Sequence, residues 1–369
     1  MGYSVTTTNN TILLFLLCVS MLLSTVLNTN VDWFLYLACF FSVCLVARGL
    51  FSGRVKFSTY LVVMVIILCL HFMVTSDKIT TMILCLITLF LYEAISNEQY
   101  SEKVVLYIFL IAFLAGFVLT FPGFLTSLLI VHTDRSDYYQ SFFHNSNTYS
   151  AFCLMTLMCV IMFMKPSKVK LILTILLIFN IYASGSRNGL LFLITSVCFY
   201  FFHRSKYAKY SYALFILFLL MATYYLFFIE MSSSIDFTVM GKSANSAGRA
   251  LQIIYVINEF PLKLLGCGKD IIDMSINKMG NYSIHNFYIN SLYSFGILPL
   301  LGYLYYIFRI WKTLPHIVAK SFLLAFNIYF FFEPGTCYYL LFLNVMPMII
   351  ILLSKQLPER ESSNLQIIQ

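Results

Sequence analysis

Residues 58–75 read STYLVVMVIILCLHFMVT, a stretch with no Asp, Glu, Lys or Arg and with one His, His71. A helix needs about 20 predominantly apolar residues to cross the hydrocarbon of a bilayer. Runs of this kind fill the chain, at 11–28, 32–50, 58–75, 79–95, 103–121, 147–164, 169–184, 189–203, 211–229, 286–308, 317–333 and 337–353. The sequence therefore predicts an all-α, polytopic transmembrane helix bundle of about 12 spans. Residues 1–369 are expected to form a single integral membrane domain.

The composition supports a membrane as the solvent for most of the surface. Apolar residues make up 60% of the chain, charged residues 10%, and the mean hydropathy is +0.86. A soluble domain carries about 25% charged residues. The formal net charge of +8 is carried largely by short loops between apolar runs, which indicates topology control rather than nucleic-acid binding.

Lys and Arg in the short loops predict the orientation, because they are retained on the cytoplasmic side. Basic residues are concentrated in every second loop and in the C-terminal tail. They are Arg48, Arg54, Lys56, Lys103, Lys165, Lys168, Lys170, Arg204, Lys206, Lys209, Arg309, Lys312, Lys320, Lys355 and Arg360. The opposite short loops contain only Lys78, Arg135 and Arg187. Both termini are therefore predicted in the cytoplasm. Residues 122–145 and one long loop, 230–285, are predicted on the outer face.

Two of the outward segments have local signals of their own. Residues 184–189 read SGSRNG between two short apolar runs, which predicts a tight helical hairpin. Residues 249–260 read RALQIIYVINEF, an apolar stretch suited to lie on the membrane surface or to cap the bundle. Pro261 is predicted to end this helix, and the GCG at 266–268 to form a flexible turn.

Several catalytic motifs are absent from the sequence. It contains no Gly-rich nucleotide loop, no HExxH, no paired Cys ligands and no GxSxG. We expect neither a metal nor a cofactor. Apart from Asp32 and the basic residues at or near the run ends, the acidic, basic or His residues within the apolar runs are few, namely His71, Glu93 and Glu333. This scarcity disfavours a proton-coupled carrier, since such carriers need relays of acids and bases within the membrane.

A set of polar residues shares the outward face. Arg187 lies in the 184–189 hairpin, Arg249 begins the apolar stretch of the long loop, and His285 precedes the next apolar run. Each has a simpler interpretation alone: an Arg that snorkels to headgroups, a solvated loop Arg, a structural His. Together, two guanidinium groups can hold a diphosphate without a metal, and a neutral His can take a proton from a sugar hydroxyl.

At these residues the sequence resembles the O-antigen polymerase and ligase family of bacterial envelope glycan enzymes. SGSRNGLL sets Leu191 four residues after Arg187, like the family's Arg-x3-Leu motif. GRALQIIYVINEFPLKLLGCG resembles its long-loop segment, and HNFYINSLYSFG sets Gly296 eleven residues after His285, like its His-x10-Gly motif. HNSNTYSAF, which begins at His144, resembles the family's entrance to a middle helix.

The resemblance implies a metal-independent glycosyltransferase of the GT-C type, in the bacterial inner membrane with a site facing the periplasm. His285 would activate the acceptor hydroxyl, and Arg187 and Arg249 would hold the donor diphosphate. The expected substrate-binding residues are Asn286, Asn188, Arg135, His144 and Asn147, although His144 and its neighbouring Asn residues also suit helix caps. The implied partners are an undecaprenyl diphosphate-linked oligosaccharide and membrane lipids, with a chain-length regulator and a flippase as further candidates.

The family divides by acceptor, and the motifs point both ways. SGSRNG and the HNFYI entrance look more like polymerases, which join one lipid-linked oligosaccharide to another. The Arg-x3-Leu and His-x10-Gly spacings are those of ligases, which transfer the chain to lipid A-core. The polymerases' Arg-x10-Gly is missing, because Cys198 and Phe260 occupy the matching positions. We predict an O-antigen or capsule polymerase, with the ligase as the alternative and a flippase or transporter as the second.

Overall fold

The computed structural model describes residues 2–27, 33–53, 58–75, 79–97, 99–129, 138–143, 145–224, 238–239, 242–243, 249–268, 286–333 and 342–357. The predicted helical membrane architecture is confirmed in these residues. The helices are α1 Gly2–Leu27, α2 Trp33–Phe51, α3 Thr59–Val74, α4 Ile79–Asn97, α5 Glu102–Leu119, α6 Phe121–Leu129, α7 Ser146–Phe163, α8 Lys168–Ala183, α9 Arg187–His203, α10 Ser211–Tyr224, α11 Arg249–Glu259, α12 Phe287–Ser294, α13 Ile297–Thr313, α14 Ile317–Phe330 and α15 Phe342–Leu353. One antiparallel ladder joins β1 Thr238–Val239 to β2 Lys242–Ser243.

Helix α7 is the centre of the bundle. Fourteen of its 18 residues are buried. It packs against α5, α8, α9, α14 and α15. A helix that is apolar all round needs either lipid or protein on every side, and α7 has protein there. The outer helices differ, since large apolar side chains such as Ile111, Leu171 and Ile194 are exposed on them. An apolar surface of this kind suits lipid contact.

Five of the described helices are long and apolar enough to cross a membrane: Asn10–Leu27, Trp33–Phe51, Ile79–Asn97, Glu102–Leu119 and Ser146–Phe163. Four shorter segments are also apolar: Thr59–Val74, Ala208–Tyr224, Ile317–Phe330 and Asn344–Gln356. The total of about 12 spans stays a prediction.

The apolar run 286–308 forms two helices instead of one, because the helix breaks at Phe295 and Gly296. Helix α12 ends at Ser294 and α13 begins at Ile297. Gly296 has a φ of 103°, which a residue with a side chain rarely adopts. Hydropathy does not detect this break, since the residues on both sides of it are apolar.

Residues 122–145, predicted as an outer segment, also begin with helical structure. Helix α6 covers Phe121–Leu129 and follows α5 after the single residue Thr120. The predicted hairpin at 184–189 is confirmed. Helix α8 ends at Ala183, Ser184 and Gly185 form the turn, and α9 begins at Arg187.

The absence of a side chain at Gly189 lets α9 approach its neighbours closely. A Cβ at this position would overlap Ser150 Oγ of α7 and lie 2.9 Å from Ile181 Cγ2 of α8. Small residues at helix contacts allow such approaches in membrane proteins. Gly189 therefore fixes the spacing of three helices beside the hairpin.

We expect Gly189→Ala to lower the free energy of unfolding by about 1–3 kcal/mol, because the added methyl group overpacks this contact. The matched control is Gly123→Ala in α6, where a Cβ would be no closer than 3.8 Å to Tyr139. Thermal unfolding of both variants in detergent checks the difference. Equal melting temperatures for the two variants would contradict the close packing at Gly189.

Candidate functional site

The hairpin between α8 and α9 positions Arg187 at the first turn of a helix. Ser186 is the N-cap of α9, and its Oγ accepts a hydrogen bond from the amide of Gly189 at 3.2 Å. Ser184 is buried and donates through Oγ to the carbonyl of Ile181. The turn is thus rigid, and it places the half-buried Arg187 where the positive end of the helix dipole lies.

Asn188 connects this hairpin to the C-terminal end of α14. Its Nδ2 donates to Oε1 of Glu333 at 2.6 Å and also lies 3.4 Å from the carbonyl of Phe332. Both Asn188 and Glu333 are buried. A buried amide paired with a carboxyl oxygen in this way holds both side chains in one orientation. Asn188, predicted to bind substrate, therefore has a fixed partner within the protein.

The segment 138–143 lies against the same hairpin. The amide of Tyr139 donates to the carbonyl of Ala183 at 3.2 Å. A Cβ on Gly185, whose φ is 60°, would overlap the Tyr138 ring. Tyr139 Oη and Thr120 Oγ1 are 2.6 Å apart. This segment therefore fills the space between the hairpin and the C-terminal end of α5.

The start of α7 also lies against this hairpin and carries the predicted residue Asn147. Asn145 caps the helix, and its Oδ1 accepts from the amide of Asn147 at 2.7 Å. The capping role that the sequence allowed for the Asn residues next to His144 is thus confirmed for Asn145. Tyr149 donates through Oη to Asn180 Oδ1 of α8 at 2.7 Å. Asn147 is half-buried at the first turn of the helix.

Asn286 caps α12 and leaves one donor without a partner. Its Oδ1 accepts from the amide of Ile289 at 2.9 Å. Its Nδ2 is buried and has no hydrogen-bond partner among the residues that the structure describes. The side chain is only 1% exposed. A buried donor without a partner costs about 1–3 kcal/mol, so this group is available to an acceptor on a ligand.

Helix α12 lies against the same end of α14. The Phe287 and Phe330 rings stack with their centroids 5.0 Å apart. Tyr288 Oη donates to the carbonyl of Asn327 at 2.9 Å. Phe330 lies three residues before Glu333, the partner of Asn188. The starts of α9 and α12 thus converge on the last turn of α14.

Helix α11 covers Arg249–Glu259, so the predicted helix headed by Arg249 is confirmed. Ile253 and Val256 are buried in the common core, while Ile257 and Glu259 are exposed. This pattern shows that α11 packs onto the bundle. It agrees with the predicted placement of this helix as a cap on the bundle.

The structure therefore gathers part of the predicted site. Arg187 and Asn188 lie at the start of α9, which contacts the start of α7 that carries Asn147. Asn286 caps α12, and both α9 and α12 contact the end of α14. Arg249 begins α11, and its side chain lies outside the described residues. Arg135, His144 and His285 also lie outside them, and their roles stay predictions.

Glu333 and Tyr138 were not predicted as site residues. Glu333 could have been found from its place at the end of an apolar run, since it is one of three ionisable residues noted in such runs. Tyr138 has no comparable sequence signal, because it contacts the hairpin only through the tertiary fold. Among the described residues, no group of three or more His, Cys, Asp or Glu side chains could hold a metal ion.

These features define a polytopic helical membrane protein with polar groups gathered at one end of its bundle. A family model described as O-antigen ligase matches residues 171–304, which include Arg187, Arg249 and His285. Over these residues the match supports the resemblance to the O-antigen polymerase and ligase family that was found in the sequence. No curated protein matches the chain.

We expect Asn188→Leu to reduce the free energy of unfolding by about 1–3 kcal/mol, because the Glu333 carboxyl loses a buried donor. The double variant Asn188→Leu/Glu333→Leu should be less destabilised than the sum of its single variants, since both partners are then apolar. Thermal or denaturant unfolding in detergent measures this cycle. Additive effects would show that the 2.6 Å contact contributes no coupling.

Proposed function

We propose that the protein is an O-antigen or capsule oligosaccharide repeat-unit polymerase of the bacterial inner membrane. Its donor is the growing chain on undecaprenyl diphosphate, and its acceptor is the next lipid-linked unit. The site faces the periplasm. A chain-length regulator and a flippase are its expected partners, and the enzyme is a metal-independent glycosyltransferase of the GT-C type.

One observation carries the proposal of glycan transfer, namely the convergence of capped helix starts at one end of the bundle. Helices α7, α9 and α12 have the N-cap residues Asn145, Ser186 and Asn286, and each cap is a polar side chain. A helix N-terminus has a partial positive charge and free amide donors. Such ends favour phosphate groups. With Arg187 in the first turn of α9, they supply the charge that a departing diphosphate needs.

The proposed reaction is a direct displacement with inversion at the anomeric carbon. The acceptor hydroxyl oxygen bonds to this carbon, and the bond from the carbon to the diphosphate oxygen breaks. The electron pair of that bond stays on undecaprenyl diphosphate, which Arg187 and Arg249 stabilise. His285 takes the hydroxyl proton as general base. The unpaired Nδ2 of Asn286, next to His285 in the chain, orients a sugar hydroxyl or a phosphate oxygen.

The ligase is the alternative, and the description of the matched family model favours it. The polymerase assignment rests on the likeness of SGSRNG and the HNFYI entrance to polymerases. Purified protein distinguishes the two when it is given lipid-linked oligosaccharide alone. A polymerase lengthens this substrate, a ligase transfers it only when lipid A-core is added, and a transporter makes no new glycosidic bond.

We expect Arg187→Ala, Arg249→Ala and His285→Ala each to stop a complemented null strain at core plus one repeat unit on a lipopolysaccharide gel. Loss of a positioned general base lowers the rate roughly 10²–10⁴-fold, which is enough to abolish the ladder. Arg204→Ala is the matched control, because Arg204 is exposed at the other end of α9 and should leave the ladder complete.

Immunoblots confirm that each variant reaches the membrane at the parental level. Bare core in the three variants would assign the ligase instead. A complete ladder from all three would refute the proposed chemistry.

A further inference from the structure

Residues 263–268, here called the strap, form backbone hydrogen bonds with the residues that flank the break between α12 and α13. The amides of Ile297 and Leu298 donate to the carbonyls of Lys263 and Leu264, at 3.2 and 3.1 Å. The amides of Cys267 and Gly268 donate to the carbonyls of Tyr293 and Ser294, at 2.8 and 2.9 Å. The strap therefore satisfies backbone groups on both sides of the break between α12 and α13.

Two glycines make this approach possible. Gly266 and Gly296 have φ values of 74° and 103°. A Cβ on Gly266 would overlap the carbonyl of Ser294, and a Cβ on Gly296 would overlap the carbonyl of Leu264. The obstructing atoms in both cases are backbone, which cannot turn aside as a flexible side chain can. Residues 266–268 were predicted to form a flexible turn, but the structure anchors them by backbone hydrogen bonds and close backbone contacts.

His71 of α3 holds the strap from the opposite side. Its Nδ1 contacts the carbonyl of Leu265, which can only accept a hydrogen bond, so Nδ1 is the donor. Its ring lies 5.1 Å from the Phe295 ring at the break. His71 is 0% exposed, within an otherwise apolar run. An imidazole buried in this environment is costly, and the proposed chemistry does not use it.

The strap connects two parts of the proposed site. On one side it follows α11, which begins at Arg249 and ends five residues before Leu264. On the other it is bonded to the last turn of α12, which begins directly after Asn286. Helix α12 has eight residues, so its length is about 12 Å. A shift of the strap therefore moves α11 relative to the start of α12.

We propose that the strap is a positioning device and that His71 is its positioning residue. The hydrogen bond from His71 to Leu265 keeps the strap in the break, and this sets the distance between the start of α11 at Arg249 and the start of α12 at Asn286. The functional part of this inference rests on the proposed glycan transfer. The structural part, docking of the strap through His71, is independent of it.

Cys267 reports docking directly, since its thiol is buried in the strap beside the carbonyl of Pro261. We expect His71→Phe, which keeps an aromatic ring but removes the donor, to raise maleimide labelling of Cys267 about fivefold in detergent. His71→Asn is the matched control, because its Nδ2 can take the place of Nδ1, and labelling should stay near the parental level. Mass spectrometry of peptides reads each cysteine separately. Exposed Cys198 and buried Cys153 serve as the references.

In the complemented null strain, we expect His71→Phe to remove the ladder and His71→Asn to restore most of it. A misplacement of about 1 Å between reacting groups can cost roughly 100-fold in rate. Gly266→Ala displaces the strap without changing α3, and it should reproduce the His71→Phe result in both measurements. If His71→Phe also raises the labelling of buried Cys153, this variant has disturbed the fold as a whole. The labelling and the ladder of Gly266→Ala then test the proposal.

Unchanged labelling of Cys267 in His71→Phe and Gly266→Ala would overturn the docking role. Raised labelling in both with a complete ladder would overturn the positioning role. Equal effects of His71→Phe and His71→Asn would show that the Nδ1 donor does not hold the strap. Raised labelling together with a complete ladder from His285→Ala would refute glycan transfer at this site and leave the docking of the strap supported.

Discussion

Backbone amides and carbonyls within a bilayer must find their partners inside the protein, because hydrocarbon offers none. Helices meet this requirement along most of this chain. At Phe295 and Gly296 one helix stops and another begins, so backbone groups there lose their partners within the helix. Backbone groups of residues 263–268 fill that gap. A segment about 30 positions before the break thus supplies hydrogen-bond partners that a continuous helix would supply itself.

The end of the bundle where α7, α9 and α12 start combines positive helix termini with buried polar contacts. Asn188 is held by Glu333, Tyr149 by Asn180, and Tyr288 by Asn327. These contacts hold the helix starts in place. Positive helix ends favour anionic groups, and donors that are already positioned stabilise a developing negative charge without reorganising.

The sequence alone predicts most of the helical architecture. Apolar runs locate the helices, SGSRNG locates the hairpin, and Pro261 locates the end of α11, because each depends on local properties of the chain. The break at Gly296 was not predicted, since its cause is a backbone contact with Gly266. The pairing of Asn188 with Glu333 was missed for the same reason, as 145 positions separate the two residues. Long-range contacts of this kind leave no local signal.

The strap also joins the segment that matches the family model to parts of the chain outside it. The segment that matches the family model, residues 171–304, contains the strap and the break but not His71, which belongs to a helix about 100 positions earlier. It also lacks α14, against which α9 and α12 pack. A chimaera that exchanges this segment between two relatives would separate the strap from its anchor. Transplanting α3 and α14 with residues 171–304 keeps the strap together with His71 and with the helix that α9 and α12 contact.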